Sequence, residues 1–200
     1  FFIVASHLHL PRHLILTLGL SIAILGLGQY LFFPDVRSLQ AAEWDPHYYR
    51  VVSTLLDPGF TGLILVFTLI FITQSQISLL PKFLFWAITY LSLALTYSRS
   101  SYLAFLASIA FISWHKKSWI FFVKILLLFT LTIYLLPRAS SGEGVKLERT
   151  SSIQARITNW QNSLAIFKDH PLLGIGFNTY RYAQMQYGFT NETKWLKSHA

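Results

Sequence analysis

The chain has 200 residues, of which 54% are hydrophobic and only 12% are charged. Soluble domains carry about 25% charged residues, so this chain has too little charge to cover a water-facing surface, and its apolar content excludes intrinsic disorder. The absence of cysteine excludes a disulfide scaffold. With a net charge of +8, the composition favours contact with lipid headgroups or a phosphate-bearing substrate over binding of nucleic acid.

Five long apolar segments follow one another along the chain, and they predict membrane-spanning helices. They cover residues 14–33, 59–80, 83–98, 100–114 and 118–136. A spanning helix requires about 20 apolar residues, which the first, second and last segments supply. The fold class that we predict is therefore all-α, a polytopic transmembrane bundle over residues 1–136.

The two middle segments are separated only by Arg99, in the polar stretch 97–101. As one helix, residues 83–114 would be about 48 Å long, which exceeds the hydrocarbon core of about 30 Å. We therefore predict a helical hairpin with Arg99 at one membrane face.

The hairpin also gives the basic residues a common side. Arg12, Lys82 and the cluster His115-Lys116-Lys117 then lie together, on the side that the positive-inside rule makes cytoplasmic. Residues 137–200 become an outer, periplasmic loop that is cut short. We expect the chain to be a fragment of a longer protein.

The outer loop contains an amphipathic helix. Ser151 with Gln154 forms a capping box, and apolar residues then recur every three or four positions until Asp169-His170-Pro171 ends the pattern. Such a helix lies on the membrane surface or docks on the bundle.

Three arginines on the outer side are candidate ligands of a phosphate or pyrophosphate, because a guanidinium stays charged and binds oxyanions through two N–H groups. They are Arg50, Arg99 and Arg156. Each also has a structural alternative: Arg99 as an interfacial residue that snorkels to the headgroups, Arg50 as a solvated loop residue, and Arg156 as a surface residue of the amphipathic helix.

An outer-side histidine could act as a general base, because its pKa lies near neutrality. His47, His170 and His199 all qualify, and their spacing does not choose among them. We predict no metal and no cofactor, because His7-x-His9 with His13 fits no common metal site and no nucleotide-binding or hydrolase motif occurs.

Two motifs resemble those of O-antigen ligases and O-antigen polymerases. Ser98-Arg99-Ser100-Ser101 is similar to that family's Ser-Arg-Ser/Thr-Gly stretch, with Ser101 in place of glycine. Arg156, Trp160 and the run His170-Pro171-Leu172-Leu173-Gly174-Ile175-Gly176 are similar to its second signature, in the same order. The resemblance covers roughly residues 50–200.

The resemblance implies a metal-independent glycosyltransferase of the bacterial inner membrane. Its partners would be an undecaprenyl-pyrophosphate-linked glycan, membrane lipid, and an acceptor hydroxyl on lipid A-core, a glycan repeat or a protein. Arg50, Arg99 and Arg156 would bind the pyrophosphate, with Arg99 and His199 as the catalytic pair. The family's base histidine is often followed by Asn, whereas Ala200 follows His199; His170 is the secondary candidate.

Two other classes remain open at the level of sequence. A membrane transporter or flippase for an anionic lipid-linked or polymeric glycan would also use basic residues, although no internal repeat is visible. The second class is a non-catalytic membrane scaffold, whose outer helix would bind a partner. Assaying glycan transfer separates them.

Overall fold

The computed structural model describes residues 12–42, 46–137, 145–147 and 151–189. These residues form two compact units, each considered by itself. The described part of unit 1 comprises residues 12–36, 47–137 and 145–147, and that of unit 2 comprises residues 37–42, 46 and 151–189.

The all-α prediction is confirmed for the described residues, which contain α-helices, short 3-10 turns and one isolated bridge between Asp35 and Tyr48, but no strand. In chain order, the α-helices are α1 Arg12–Phe32, α2 Pro58–Gln74, α3 Leu79–Ala94, α4 Arg99–His115, α5 Trp119–Leu135, α6 Ser151–Asp169 and α7 Tyr180–Gln186.

One described helix is long and apolar enough to cross a membrane by itself. Within α1, Leu14–Phe32 has 19 residues and a mean hydropathy of 1.9. Three further helices, α2, α3 and α5, are apolar but shorter, at 16 or 17 residues. The multi-pass bundle therefore stays a prediction.

The helix boundaries differ from the predicted spans in two places. α2 ends at Gln74, where the N–H of Ser75 already bonds back to the carbonyl of Ile72, whereas the apolar segment continued to residue 80. α3 begins at Leu79 rather than at residue 83, because Pro81 falls in its first turn, where a missing N–H costs little.

α2 and α4 lie side by side and run in the same direction. At their N-terminal ends the Ser101 hydroxyl donates to the carbonyl of Gly59 at 3.3 Å. At their C-terminal ends Ile70 and Ile112 line one groove. α3 and α5 run the opposite way, since Lys82 Nζ donates to the carbonyl of Ser75 at 2.7 Å and Tyr90 donates to Thr132 at 2.9 Å.

Unit 1 consequently has two chemically different ends. One end holds Arg50, Thr96 and Arg99. We call it the break end, because the helical segment is interrupted there, between α3 and α4. We call the other the basic end, because it holds Lys82, in the first turn of α3 beside the end of α2, and His115 and Lys116, at the end of α4.

Glycines permit the closest helix contacts in unit 1. A Cβ added at Gly62 would lie 2.3 Å from Ser101 Oγ, and one added at Gly19 would lie 1.9 Å from Thr68 Oγ1. A Cβ at Gly26 would lie 2.7 Å from a methyl carbon of Val51. These contacts hold α1 against α2 and against the segment before α2, and hold α2 against the first turn of α4.

The core of unit 1 is small, and much of its outer surface is apolar. Leu65, Leu69, Leu93, Phe105 and Ile109 form its centre. In contrast, α5 has no buried residue at all, and large apolar side chains on every helix of this unit are exposed, including Leu31, Phe67, Leu84, Leu103 and Leu127.

Unit 2 is built from α6, a glycine-containing turn and α7. Tyr180 on α7 bonds to the side chains of Ser163 at 2.8 Å and Asn159 at 2.9 Å on α6. Further along, the Tyr187 hydroxyl donates to Asp169 Oδ2 at 2.6 Å. These bonds hold α7 beside α6.

Candidate functional site at the break end

The interruption between α3 and α4 carries the first predicted motif. α3 ends at Ala94 and α4 starts at Arg99. Between them Tyr97 adopts a left-handed conformation with φ of 51°, which costs free energy for a residue other than glycine. Its ring is 1% exposed, and its hydroxyl donates to the carbonyl of Pro137. Burial and this bond hold the turn in place.

Arg50 fastens the same turn from the other side. Its Nε donates to the carbonyl of Thr96 at 3.0 Å and its Nη2 to the carbonyl of Tyr97 at 3.3 Å. The side chain is 6% exposed, so Arg50 is not a solvated loop residue. At least two of its five N–H groups are directed at backbone oxygens that an interrupted helix leaves without their usual partners.

The segment after Arg50 is held by Gln29 of α1, which the sequence analysis did not single out. Gln29 Oε1 accepts from the N–H of Val52 at 3.0 Å, and its Nε2 donates to the carbonyl of Arg50 at 3.2 Å. The N–H of Val51 in turn donates to the carbonyl of Leu95 at 2.9 Å. The sequence did contain a signal for this role of Gln29, because it is the only side-chain amide in the apolar segment 14–33.

Arg99 is the first residue of α4 and is only partly buried. Its Nη1 donates to the carbonyl of Leu147 at 3.3 Å. Arg99 therefore lies at the same turn as Arg50 but has a different environment, since part of its surface can be reached by solvent or a ligand.

Serines complete the first turn of α4. The Ser98 hydroxyl is the N-cap and accepts from the N–H of Ser101 at 3.4 Å. The same hydroxyl lies 2.8 Å from Ser101 Oγ and 3.1 Å from Ser100 Oγ. A helix N-terminus has a partial positive charge, and Arg99 is the first residue of this helix. The arrangement can stabilise an oxyanion.

The predicted residues of unit 2 occupy two places. Arg156 lies on α6, where it lines a shallow apolar groove with Ile157, Trp160 and Leu164. His170 follows the last residue of α6; it is exposed, and its carbonyl accepts from the N–H of Gly174 at 3.1 Å. In the turn that follows, Leu172 and Phe177 are 94% and 100% exposed.

His199, the predicted base, lies outside the described residues, as does Ala200. Of the other histidines that the sequence predicts on the outer side, His47 is buried in unit 1, and the N–H of Val36 donates to its carbonyl at 3.1 Å. Within the described ranges, no three or more His, Asp or Glu side chains lie together as a metal site would need.

Comparison with known proteins gives one family. The model of the O-antigen ligase family matches residues 83–200, a range that contains most of α3, the turn with Arg99, and all of α4 to α7. Comparison with curated proteins gives no match, and comparison with solved structures gives none either.

Proposed function

The chain belongs to the O-antigen ligase family, and from this premise we propose that it is a glycosyltransferase that moves a glycan from undecaprenyl pyrophosphate to an acceptor hydroxyl. The acceptor is lipid A-core, a glycan repeat or a protein. The observation that carries the proposal is the break end, where Arg99 and the N-terminus of α4 combine two sources of positive charge at one turn.

The reaction needs such a site because its leaving group is an anion. The acceptor oxygen forms a bond to the anomeric carbon, and the bond between that carbon and the pyrophosphate oxygen breaks. The electron pair leaves with undecaprenyl pyrophosphate, and the acceptor proton passes to a base. Fixed cations that meet the developing negative charge lower the barrier.

We assign the residues of unit 1 different parts in this step. Arg99 binds the pyrophosphate directly, because it is partly exposed at the start of α4. Arg50 contributes positive charge and fixes the position of the turn through its bonds to Thr96 and Tyr97.

From the second signature, Arg156 adds a further guanidinium, and His199 takes the proton, with His170 as the alternative base. No metal enters this scheme. The assignments in unit 2 rest on the family motif, since the match with the family covers both Arg156 and His199.

We place unit 1 in the bacterial inner membrane as a multi-pass bundle, with the break end on the outer side. The exposed apolar faces of its helices support this placement, because a surface of this kind is stable in lipid and costly in water. The opposite end holds Lys82, His115 and Lys116, as the positive-inside rule requires of a cytoplasmic face.

Glycan transfer from a synthetic undecaprenyl-pyrophosphate donor, with purified protein in nanodiscs, tests the proposal. We expect product from the unchanged protein, loss of at least about 100-fold of the rate in Arg99→Ala, and partial activity in Arg99→Lys, which keeps the charge but not the two-pronged geometry. Lys117→Ala at the other end is the matched control and should keep full activity.

Two results would contradict the proposal. Full activity of Arg99→Ala would remove this residue from the site. Movement of the intact lipid-linked glycan across the bilayer, with no glycosidic product from any acceptor, would instead indicate the transporter that the composition also allows.

A further inference from the structure

A groove at the basic end has no part in the proposed reaction. It lies between α2 and α4, near the C-terminal end of both helices. Its walls are apolar and include Ile70, Phe111 and Ile112, whereas Gln74, His115 and Lys116 form its polar part. An apolar channel with hydrogen-bond donors and a cation at one end fits a molecule that has a hydrocarbon chain and an anionic head.

The position of the groove along the helices fits the same kind of molecule. His115 is the last residue of α4, and Lys116 is its C-cap, so the polar part lies where the helix ends. Ala107 and Ser108 line the groove about two turns earlier in α4. The long axis of the groove therefore follows the helices, which is the direction that acyl chains take beside a spanning helix.

Backbone hydrogen bonds define where α4 ends. The N–H of Lys116 donates to the carbonyl of Ile112 at 2.9 Å, and the N–H of Lys117 donates to that of Trp114 at 3.0 Å. Two of the last carbonyls of α4 thus have backbone donors. Lys116 and His115 are both exposed.

We propose that this groove binds an anionic glycerophospholipid of the leaflet at the basic end, with an acyl chain between α2 and α4 and its phosphate at Lys116 and His115. The inference is independent of which glycan is transferred, but it requires that unit 1 lies in a bilayer. Basic pockets between spanning helices on the cytoplasmic side are a recognised type of anionic-lipid site.

Native mass spectrometry of the purified protein, released from nanodiscs that contain equal amounts of phosphatidylglycerol and phosphatidylcholine, tests the proposal. We expect retained phosphatidylglycerol in preference to phosphatidylcholine. Lys116→Gln should lower this preference about fivefold, the effect of one basic residue near an anionic membrane surface. Lys124→Gln removes an equal charge from α5, outside the groove, and should leave the preference unchanged.

A second pair of variants tests the apolar part. Ala107→Trp places an indole in the groove at a residue that is exposed and therefore tolerates the change; it should abolish retention. Leu103→Trp, one turn earlier on α4, is also exposed but does not line the groove, and it should retain lipid normally. Thermal unfolding of each variant in detergent checks that its fold is intact.

The outcomes are distinct. Equal retention of both lipids, or loss of the preference in Lys124→Gln as well as Lys116→Gln, would reduce the effect to general surface charge and overturn the site. Unchanged retention in folded Ala107→Trp would do the same. Because glycan transfer is not measured, these results do not depend on whether the proposed function is correct.

Discussion

The two ends of unit 1 use their polar residues in opposite ways. At the break end, Arg50 is buried and bonded to backbone carbonyls, and Ser98 caps a helix. At the basic end, His115 and Lys116 are exposed. In a chain with so few charges, the difference teaches that a buried cation can hold the backbone turn itself, whereas its neighbour Arg99 is only partly buried.

The largest expected effect follows from substituting the buried cation. Arg50→Met removes two hydrogen bonds made by a charged group, each of which contributes about 1.5–3 kcal/mol. We expect the free energy of unfolding to fall by several kcal/mol and glycan transfer to be lost. Thermal unfolding in detergent measures the first effect. A variant as stable as the unchanged protein would mean that the bonds to Thr96 and Tyr97 do not hold the turn.

A smaller effect is expected at the contact between α2 and α4. In Gly62→Ala, the new methyl group would lie 2.3 Å from Ser101 Oγ, so the first turn of α4 must shift, at a cost of about 1–3 kcal/mol. Gly28→Ala is the matched control, because a Cβ there has no neighbour within 4 Å, and helix propensity makes it neutral or slightly stabilising. Equal melting temperatures for the two variants would contradict the close contact.

Arg99 is the opposite case to Arg50, because its substitution should affect activity more than stability. Because Arg99 is partly exposed whereas Arg50 is buried, Arg99→Ala should cost clearly less stability than Arg50→Met while it abolishes transfer. Measuring unfolding and activity on the same preparations separates this residue from Arg50. A loss of stability as large as that of Arg50→Met would show that both arginines are structural.

The smallest effect concerns unit 2. The bond from the Tyr187 hydroxyl to Asp169 raises the pKa of Tyr187 above its usual value of 10.0. Because the folded-state pKa is raised, the contribution of this bond to stability is complete below pH 10 and is lost as the pH rises through the folded-state pKa. Asp169→Asn should lower the pKa, as followed by ¹³C NMR of labelled tyrosine, with Tyr187→Phe to assign the signal. An unchanged titration would contradict the bond.

Much of the helical layout could be predicted from sequence, because it depends on local patterns. The polar stretch around Arg99, together with the thickness of a bilayer, predicted an interruption, and α3 and α4 are interrupted there. The amphipathic pattern from Ser151 to Asp169 predicted the helix that is present as α6.

The role of Arg50 could not be predicted, because its hydrogen bonds go to Thr96 and Tyr97, which lie 46 and 47 positions further along the chain. Sequence alone offered a solvated residue or a phosphate ligand, and neither alternative includes a bond to the carbonyls of an interrupted helix. For the same reason, the close contact between Gly62 and Ser101 could not be predicted, because it exists only where α2 packs against α4.

The most direct test of the central claim, that Arg99 recognises a diphosphate, is a binding measurement without acceptor. Native mass spectrometry or thermophoresis would compare undecaprenyl pyrophosphate with undecaprenyl monophosphate for the unchanged protein, Arg99→Gln and Lys117→Gln. We predict a preference for the diphosphate that is lost in Arg99→Gln and kept in Lys117→Gln. An undiminished preference in folded Arg99→Gln would contradict the account.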